Sequence, residues 1–309
     1  MPVKEEDKGK TAFCTHRQKY EFNYLPFGVQ SGPSYMCRLM DAILQGLAWE
    51  VCMPYLDDIS IRSNGTSGTV QERIKQSFEQ MMHRLDLVLE RLIWANLTCK
   101  ATKCLLFAIS AEYLGHIISR KGLEMAPSKI DTVSKTVISS INDIGKVRSF
   151  LGLCSYYRRF IKGFSTIATP LTDLTKKDIN VEEEIKSEEC QKAIQTLIEA
   201  ITSAPVLTTP RGDREFILKT DAASKEGIGG VLSQVDDNGH EKVIAYYGRR
   251  LIPAERNYSV TEIELLAALE SIHNWRPYLW GRKFRLVIDH SALRWLHTMK
   301  DTVECGPAS

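Results

Sequence analysis

Two adjacent acids stand between two short apolar runs, and this segment constrains the fold more than any other. Residues 51–54 precede Tyr55-Leu-Asp-Asp58, and residues 59–61 follow it. Runs of this kind on either side of a tight turn are typical of a β-hairpin. Because adjacent ionised carboxylates repel each other, a fold that presents both needs a cation, and Mg²⁺ between carboxylates and phosphates is what polymerases use. The segment predicts either a hairpin with a Mg²⁺ site at its tip or a solvated Asp-Asp turn.

Size and composition are those of a globular protein. The 309 residues suffice for two or three domains, and the 43% hydrophobic and 25% charged residues are ordinary values. No apolar stretch reaches the roughly 18 residues of a membrane span, and the charged N-terminus is unlike a signal peptide. The eight cysteines lack the spacing of a zinc site. We therefore expect an intracellular protein with reduced thiols and no membrane partner.

The overall charge does not indicate a nucleic-acid-binding protein. The formal net charge is only +2, whereas such proteins usually carry a basic excess. Basic residues do cluster locally, at Arg158-Arg159 with Lys162, at Arg249-Arg250, and at Arg282-Lys283 with Arg285. Each cluster is either a solvated face or part of a local nucleic-acid surface.

Apolar periodicity predicts several helices in the first two thirds of the chain. We expect helices over 34–47 and 70–95, one that starts at Pro127, and one over 143–162. In the second of these, one apolar stripe is predicted to be core, and it contains Ile74, Phe78, Met81, Leu85, Val88 and Leu92. Two short strands are expected within residues 103–119. The charged character of residues 173–191 predicts an exposed connection.

The last third predicts a mixed α/β domain. Strands are expected over 216–219, 227–234, 243–247 and 284–288, with a hairpin turn at 236–239 and a helix over 260–275. Two of the strands lead directly into acids, Asp221 and Asp289. These acids are either metal ligands or turn formers.

The helix over 260–275 carries two further acids, Glu262 and Glu264. They lie roughly 200° apart around the helix and cannot share a role. Ser259 and Glu262 fit a capping box, which gives Glu262 a structural role. Glu264 shares its face with small residues, which we interpret as room for a bulky substrate, so Glu264 is the predicted functional acid. Three carboxylates from two strand ends and one helix can hold two divalent ions for phosphodiester cleavage.

Together these motifs resemble the reverse transcriptase–ribonuclease H region of a Ty3/Gypsy-type LTR retrotransposon Pol polyprotein. The similar segments follow the family's order through nearly the whole chain. They are Lys10–Phe13, Tyr20–Phe22, Leu25–Val29 with Gly32-Pro33, Tyr55–Asp58, Lys103-Cys104, Tyr113–His116, Phe150–Leu153, Tyr156–Ile161, Thr220–Ala222, Tyr258–Leu266 and Asp289-His290.

The resemblance implies a mixed α/β (α+β) fold in three parts. These are a partial polymerase palm over 1–122, a helical thumb and connection over 123–200, and an incomplete ribonuclease H-like domain over 201–309. It implies an RNA-directed DNA polymerase that is also an RNA–DNA hybrid ribonuclease. The implied cofactor is Mg²⁺, with Mn²⁺ as an alternative. The implied partners are RNA–DNA hybrid, RNA or DNA template-primer and deoxynucleoside triphosphates, in a cytoplasmic particle or the nucleus.

The resemblance also implies roles for individual residues. The catalytic and metal-binding acids are Asp57, Asp58, Asp221, Glu264 and Asp289. The nucleotide-binding residues are Phe27, Gly28, Gln30 and Tyr55. The nucleic-acid-binding residues are Leu114, Gly115 and His116 at the primer terminus, and Arg158, Arg159 and Lys162 along the phosphates.

The chain departs from the family pattern at both ends. The family's first palm aspartate precedes the segment similar to Lys10–Phe13, and its fourth nuclease acid lies on a helix after Asp289. We therefore expect a fragment that gives no measurable primer extension by itself and at most weak Mn²⁺-dependent hybrid cleavage. Two other hypotheses remain open, a catalytically dead nucleic-acid-binding relic or scaffold and an unfolded pseudogene product.

Overall fold

The computed structural model describes residues 2–63, 69–134, 141–176, 179–221 and 227–288. The chain divides into two compact units, Met1–Ala108 and Ile109–Ser309. The mixed α and β composition of both units agrees with the predicted fold class, while the domain boundaries at 122 and 200 stay predictions. None of the helices within the described ranges is long and apolar enough to cross a membrane.

The first unit combines two small hairpins with three helices. Its elements are α1 (Glu5–Lys8), β1 (Phe13–Cys14), β2 (Lys19–Tyr20), α2 (Gly32–Ile43), β3 (Cys52–Tyr55), β4 (Asp58–Ile61) and α3 (Val70–Trp94). Strands β1 and β2 pair antiparallel, as do β3 and β4. Its core joins the end of α2, the start of β3 and the end of α3, through Met40, Leu44, Cys52, Val88 and Leu92.

The predicted core role of the α3 stripe is wrong for most of the helix. Only Val88 and Leu92 are buried, whereas Ile74 and Phe78 are each 54% exposed. The helix starts where predicted because Thr69 and Glu72 form a capping box. However, the buried cluster of this unit meets only the last turns of α3. Periodicity therefore identified the apolar face of this helix but not what covers it.

The second unit begins with an antiparallel sheet of three strands. Strands β5 (Ser110–Tyr113), β6 (His116–Ser119) and β7 (Gly122–Met125) pair in sequence order. The two strands expected within 103–119 are both present, and β7 was not predicted. Leu123 in β7 exchanges backbone hydrogen bonds with Leu207, which ties this sheet to the chain that leads into the C-terminal sheet.

Six α-helices of the described ranges follow and surround a large buried cluster. They are α4 (Pro127–Ser134), α5 (Ile144–Tyr156), α6 (Phe164–Ile167), α7 (Thr169–Asp173), α8 (Val181–Glu184) and α9 (Glu188–Thr202). The helix predicted over 143–162 ends at Tyr156 and continues as a short 3₁₀ turn, Arg158–Phe160. The prediction of an exposed connection over 173–191 is wrong in part, because Ile185 and Cys190 are buried in the core and α9 starts at Glu188.

The C-terminal part is a sheet of four strands with helices on it. Strands β8 (Phe216–Asp221), β9 (Gly227–Val235), β10 (Glu241–Arg250) and β11 (Phe284–Ile288) lie in the order β10-β9-β8-β11. Strands β8 and β11 are parallel, and the other pairs are antiparallel. Helices α10 (Val260–Asn274) and α11 (Arg276–Leu279) connect β10 to β11. This arrangement confirms the predicted strands, helix and hairpin turn of the last third.

Candidate active sites

The first candidate site is the hairpin of β3 and β4. Tyr55 pairs with Asp58, so Leu56 and Asp57 form a two-residue turn, and the predicted hairpin is confirmed. Leu56 has φ = 55°, a left-handed conformation that tight hairpin turns require at this place but that is strained for leucine. The turn presents Asp57 at the tip and Asp58 as the first residue of β4.

Both carboxylates of this hairpin face solvent. Asp57 and Asp58 are exposed, and no lysine or arginine in the described part of the chain forms an ion pair with either of them. Their repulsion is therefore not balanced by those protein cations, and water or a bound cation must balance it. Carboxylate oxygens are the ligands that Mg²⁺ prefers, so the chemistry of this donor pair fits a divalent ion.

An open concavity of about 450 Å³ lies beside the turn. Its walls are Tyr55 and Leu56 from the hairpin and four residues at the start of α2, namely Pro33, Ser34, Cys37 and Arg38. The Arg38 guanidinium lies 4.6 Å from the ring centroid of Tyr35, a cation–π contact that restricts the side chain. Sequence reasoning missed Arg38, although its spacing from Ser34 places both on one helix face.

The other predicted nucleotide-binding residues lie in the turn before α2. Phe27 and Gln30 are exposed, and Gly28 has φ = 85°. None of the three is among the residues that line the concavity. Their role in nucleotide binding stays a prediction.

The predicted primer-terminus residues form the turn between β5 and β6. Leu114 and Gly115 have φ values of 50° and 70°, the combination of a type I′ turn. The His116 ring is half-buried, with its centroid 5.4 Å from that of Tyr156 and 5.7 Å from that of Phe160. Desolvation lowers the pKa of His116, and the Arg159 charge lowers it further. His116 therefore packs as a neutral ring within an aromatic cluster.

The predicted phosphate-binding cations follow α5. Arg158 and Arg159 lie in the 3₁₀ turn, and Lys162 follows it. Arg158 and Lys162 are exposed, whereas Arg159 is half-buried. No acid within the described ranges forms an ion pair with any of the three, which leaves their charges available to an external anion.

The second candidate site lies at one edge of the C-terminal sheet. Asp221 is the exposed last residue of β8. Because Thr220 pairs with Ile288 in the parallel neighbour β11, the carboxyl ends of these two strands are adjacent. Asp289 comes next in the sequence but lies outside the described residues. The predicted meeting of the two aspartates therefore stays a prediction.

Helix α10 places its two glutamates in different surroundings, and the structural role predicted for Glu262 is confirmed. Glu262 accepts the Ser259 backbone N–H at 2.7 Å, and its own N–H donates to the Ser259 hydroxyl at 3.3 Å. These bonds complete the capping box and lower the pKa of Glu262. Glu264 is instead buried, with 7% exposure, on the face that packs on β8 and β9.

The interpretation that small residues beside Glu264 leave room for a bulky substrate is wrong. These small neighbours on α10 do not leave room for a substrate, because they bring the helix close to the sheet. A Cβ atom at Gly230 of β9 would lie only 2.5 Å from the Ser271 hydroxyl and 3.2 Å from the Trp275 ring. Ala267 and Ser271 are fully buried. The catalytic role of Glu264 stays a prediction without this support.

The described ranges contain no group of three or more acidic, histidine or cysteine side chains that could hold a metal ion. Asp289, the third predicted nuclease ligand, is not among these residues. The acids that the structure does describe offer the oxygen ligands that suit Mg²⁺ or Mn²⁺.

Two protein families match successive parts of the chain. Residues 1–118 match the family described as reverse transcriptase (RNA-dependent DNA polymerase). Residues 187–286 match the RNase H-like domain found in reverse transcriptase. The order of the two matches is the order of the two candidate sites.

Similar proteins are polyproteins of transposons. The chain is 36% identical over 301 residues to the retrovirus-related Pol polyprotein from transposon 297 of Drosophila melanogaster, covering 97% of the chain and 26% of that protein. It is 36% identical to the Pol polyprotein from transposon gypsy of the same species, over 94% of the chain and 27% of that protein. The chain thus spans about a quarter of these relatives.

Solved structures show the same fold. A foamy viral protease-reverse transcriptase in complex with dsDNA has a TM-score of 0.72 at 20% identity, over 97% of this chain and 58% of that chain. A foamy viral protease-reverse transcriptase in complex with an RNA/DNA hybrid has a TM-score of 0.70 at 21% identity, over 97% of this chain and 39% of that chain.

Proposed function

The chain belongs to the reverse transcriptase–ribonuclease H proteins of retrotransposon Pol polyproteins, and from this we propose that it takes part in RNA-directed DNA synthesis and RNA–DNA hybrid cleavage. The observation that carries the polymerase half is the Tyr55–Asp58 hairpin. Its strained turn presents Asp57 and Asp58 to solvent beside a concave surface. Neither carboxylate has a described cationic partner, so the pair is suited to a divalent ion.

In this proposal Asp57 and Asp58 hold Mg²⁺, or Mn²⁺, in the polymerase site. When bound, the ion stabilises the charge that develops on the phosphate during nucleotidyl transfer. Tyr55 and the turn before α2, with Phe27, Gly28 and Gln30, receive the deoxynucleoside triphosphate. Arg38 supports this assignment because it adds an exposed cation, without a described ion-pair partner, to the same concavity.

The second unit supplies the contacts to the template-primer. The Leu114–His116 turn positions the primer terminus, and Arg158, Arg159 and Lys162 attract the phosphates. The exposed charges of Arg158 and Lys162 support this role. Such attraction is independent of sequence and weakens as salt rises. The similar viral structures, which are complexes with dsDNA and with RNA/DNA hybrid, favour these two ligands.

The nuclease half uses the edge of the C-terminal sheet. Asp221, Glu264 and Asp289 are proposed to hold the metal ions of hybrid cleavage, and the register of β8 and β11 supports the pairing of the two aspartates. The buried position of Glu264 on α10, which packs on β8 and β9, agrees with a residue whose geometry must be fixed.

A binding protein without catalysis is the second candidate. Within the described ranges no three acids meet in a metal-binding group, whereas the exposed cations after α5 need no metal to attract phosphates. This candidate predicts salt-dependent binding of hybrid without turnover.

Hybrid cleavage tests the nuclease half. The full chain is incubated with a labelled RNA–DNA hybrid in Mg²⁺ and in Mn²⁺. We expect cleavage of the RNA strand that Asp221→Asn and Glu264→Gln each reduce by about 10²-fold or more, the usual size of a lost metal ligand or catalytic group. Glu262→Gln is the matched control on the same helix and should retain activity. Hybrid binding without any cleavage would favour the second candidate.

Nucleotide trapping tests the polymerase half without requiring turnover. The chain is mixed with a chain-terminated template-primer, Mg²⁺ and the correct deoxynucleoside triphosphate, and the ternary complex is measured. We expect Asp57→Asn and Asp58→Asn each to weaken nucleotide binding by about 10-fold or more. The control is Asp41→Asn, another exposed aspartate of the first unit. Equal nucleotide binding by all three variants would refute the assignment of the hairpin acids.

A further inference from the structure

Two consecutive tyrosines donate hydrogen bonds to two consecutive carbonyl groups. The Tyr156 hydroxyl donates to the Leu114 carbonyl at 2.6 Å, and the Tyr157 hydroxyl donates to the Gly115 carbonyl at 2.8 Å. Tyr156 is the last residue of α5, and Tyr157 follows it. The end of this helix is thus bonded to the β5–β6 turn, which lies about 40 residues earlier in the chain.

Each of these two carbonyls accepts a second hydrogen bond. His116 Nδ1 lies 2.8 Å from the Leu114 oxygen, and because a carbonyl can only accept, Nδ1 carries the proton. The Ala126 backbone N–H donates to the Gly115 oxygen at 3.1 Å. Both lone pairs of each carbonyl oxygen are therefore engaged. This saturation fixes the orientation of both peptide groups of the turn.

The turn requires such support because its backbone conformation is unfavourable. Leu114 has φ = 50°, a region that leucine rarely adopts. Gly115 has φ = 70°, and a Cβ atom there would lie 3.0 Å from the Tyr157 hydroxyl oxygen. Glycine therefore serves both the turn and the close approach of Tyr157. The glycine at position 115 and the hydrogen bonds from the tyrosines therefore both favour a turn with a fixed conformation.

The two tyrosine rings are themselves held. They make an edge-to-face contact with centroids 4.9 Å apart, and both lie against the His116 ring. Tyr157 is fully buried, and burial raises its pKa to about 12, so its hydroxyl remains a donor at neutral pH. Tyr156 is 54% exposed, yet its hydroxyl still reaches the turn.

We propose that Tyr156 and Tyr157 are positioning residues that lock the Leu114–Gly115 turn to the basic segment Arg158–Lys162. The inference rests on the proposed function, in which the turn positions the primer terminus and the basic segment binds its phosphates. Because Arg158 directly follows Tyr157, the hydrogen bonds make the turn and the phosphate contacts one rigid body. The primer end is then held at a fixed distance from the phosphates behind it.

The variants Tyr156→Phe and Tyr157→Phe test this proposal, because each removes a hydroxyl and keeps the ring. The full chain is bound to a template-primer that carries 2-aminopurine as the 3′-terminal primer base. In a second template-primer the same base lies inside the duplex. Time-resolved fluorescence gives, at each position, the ratio of 2-aminopurine that is immobilised in the complex (held) to 2-aminopurine that moves freely (free). Tyr247→Phe is the matched control, since the Tyr247 hydroxyl donates to Glu270 far from the turn in the sequence.

We expect each variant to lower the held-to-free ratio of the terminal base by about five-fold, the equivalent of one net hydrogen bond. The internal base and the dissociation constant of the template-primer should change by less than about two-fold, because the phosphate contacts remain. Because Tyr156 is largely exposed, Tyr156→Phe is not expected to disturb folding, and it keeps the test valid if Tyr157→Phe does. Gly115→Ala should reproduce the loss by displacing the Tyr157 hydroxyl.

Two results would overturn the proposal while leaving the proposed function intact. One is an unchanged terminal base in variants that still bind the template-primer. The other is an equal loss at the terminal and internal bases, which would indicate general weakening of the complex. If the wild-type chain does not bind the template-primer at all, the proposed function fails and this inference fails with it.

Discussion

Gly230→Ala is expected to force α10 away from the sheet that carries Asp221. A Cβ atom at this position would lie 2.5 Å from the Ser271 hydroxyl oxygen and 3.2 Å from both the Ser271 Cβ and the Trp275 ring. Real Cβ contacts are not this short, and Trp275 is buried in the core of the sheet. The clash therefore has to be relieved by movement of the helix or by strained side-chain rotamers.

The expected loss of stability follows from two opposing effects. Overpacking a well-packed interior costs about 1–3 kcal/mol. Replacing glycine by alanine also restricts the unfolded chain, which returns about 0.4–1 kcal/mol. We therefore expect Gly230→Ala to lower the free energy of unfolding of the sheet by about 1.3 kcal/mol, within a range of about 0–2.6 kcal/mol. Because Glu264 lies on the displaced helix, hybrid cleavage should fall as well.

Gly229→Ala is the matched control in the neighbouring position of β9. Its Cβ atom would meet only backbone oxygens of Tyr247 and Asp221, at 3.7 and 3.8 Å. These are ordinary van der Waals distances, so only the effect on the unfolded chain remains, and this variant should be neutral or slightly more stable. The assay is native-state hydrogen exchange of β9 peptides under urea. Equal exchange free energies for the two variants would refute the close-packing argument.

Three further predictions address other contacts of the second unit. Ser259→Ala removes the N-cap of α10 and should cost about 1 kcal/mol, seen as faster amide exchange in the first helical turn; unchanged exchange there would contradict the capping role. Because burial lowers the pKa of His116 below its usual 6.5, the unfolded state takes up its proton first. Stability should therefore fall as pH drops below about 6.5, and His116→Gln should flatten this part of the urea-midpoint curve, whereas an unaltered curve would argue against a neutral buried ring. Asp173→Asn breaks the half-exposed ion pairs with Arg250 (2.7 Å) and Lys176 (2.8 Å) and should cost up to about 1 kcal/mol in urea denaturation; a stabilised variant would show that desolvation outweighs these two pairs.

Local signals predicted the elements that local residues determine. Short patterns correctly predict the β3–β4 hairpin, the capping box of α10 and the strand Phe284–Ile288. Each depends on residues within a few positions of one another, such as an N-cap serine and the glutamate three residues later. The start of α9 was missed because its first turn is acidic and joins a charged segment, although Ser187 caps it.

The same local patterns do not predict contacts between segments that are far apart in the sequence. Periodicity predicts that the apolar stripe of α3 is core, but it does not report how far a neighbouring surface extends along a helix. The tyrosine contacts to Leu114 and Gly115 join residues 42 apart, and neither tyrosine shows by its type that its hydroxyl bonds to a strained turn. Such pairings exist only once the sheet and the helix have taken their places.

The small face of α10 shows why the same residues support opposite interpretations. Small side chains on a helix leave space if nothing approaches them, and they allow a close approach if a partner does. The partner is Gly230, which stands opposite Ser271 because β9 pairs with β8 in a register that aligns Gly230 with Thr220. The sequence contains both the glycine pair of β9 and the small residues of α10. Only the strand register determines that Gly230, and not Gly229, meets the helix, so the function of this face depends on a pairing that no single segment encodes.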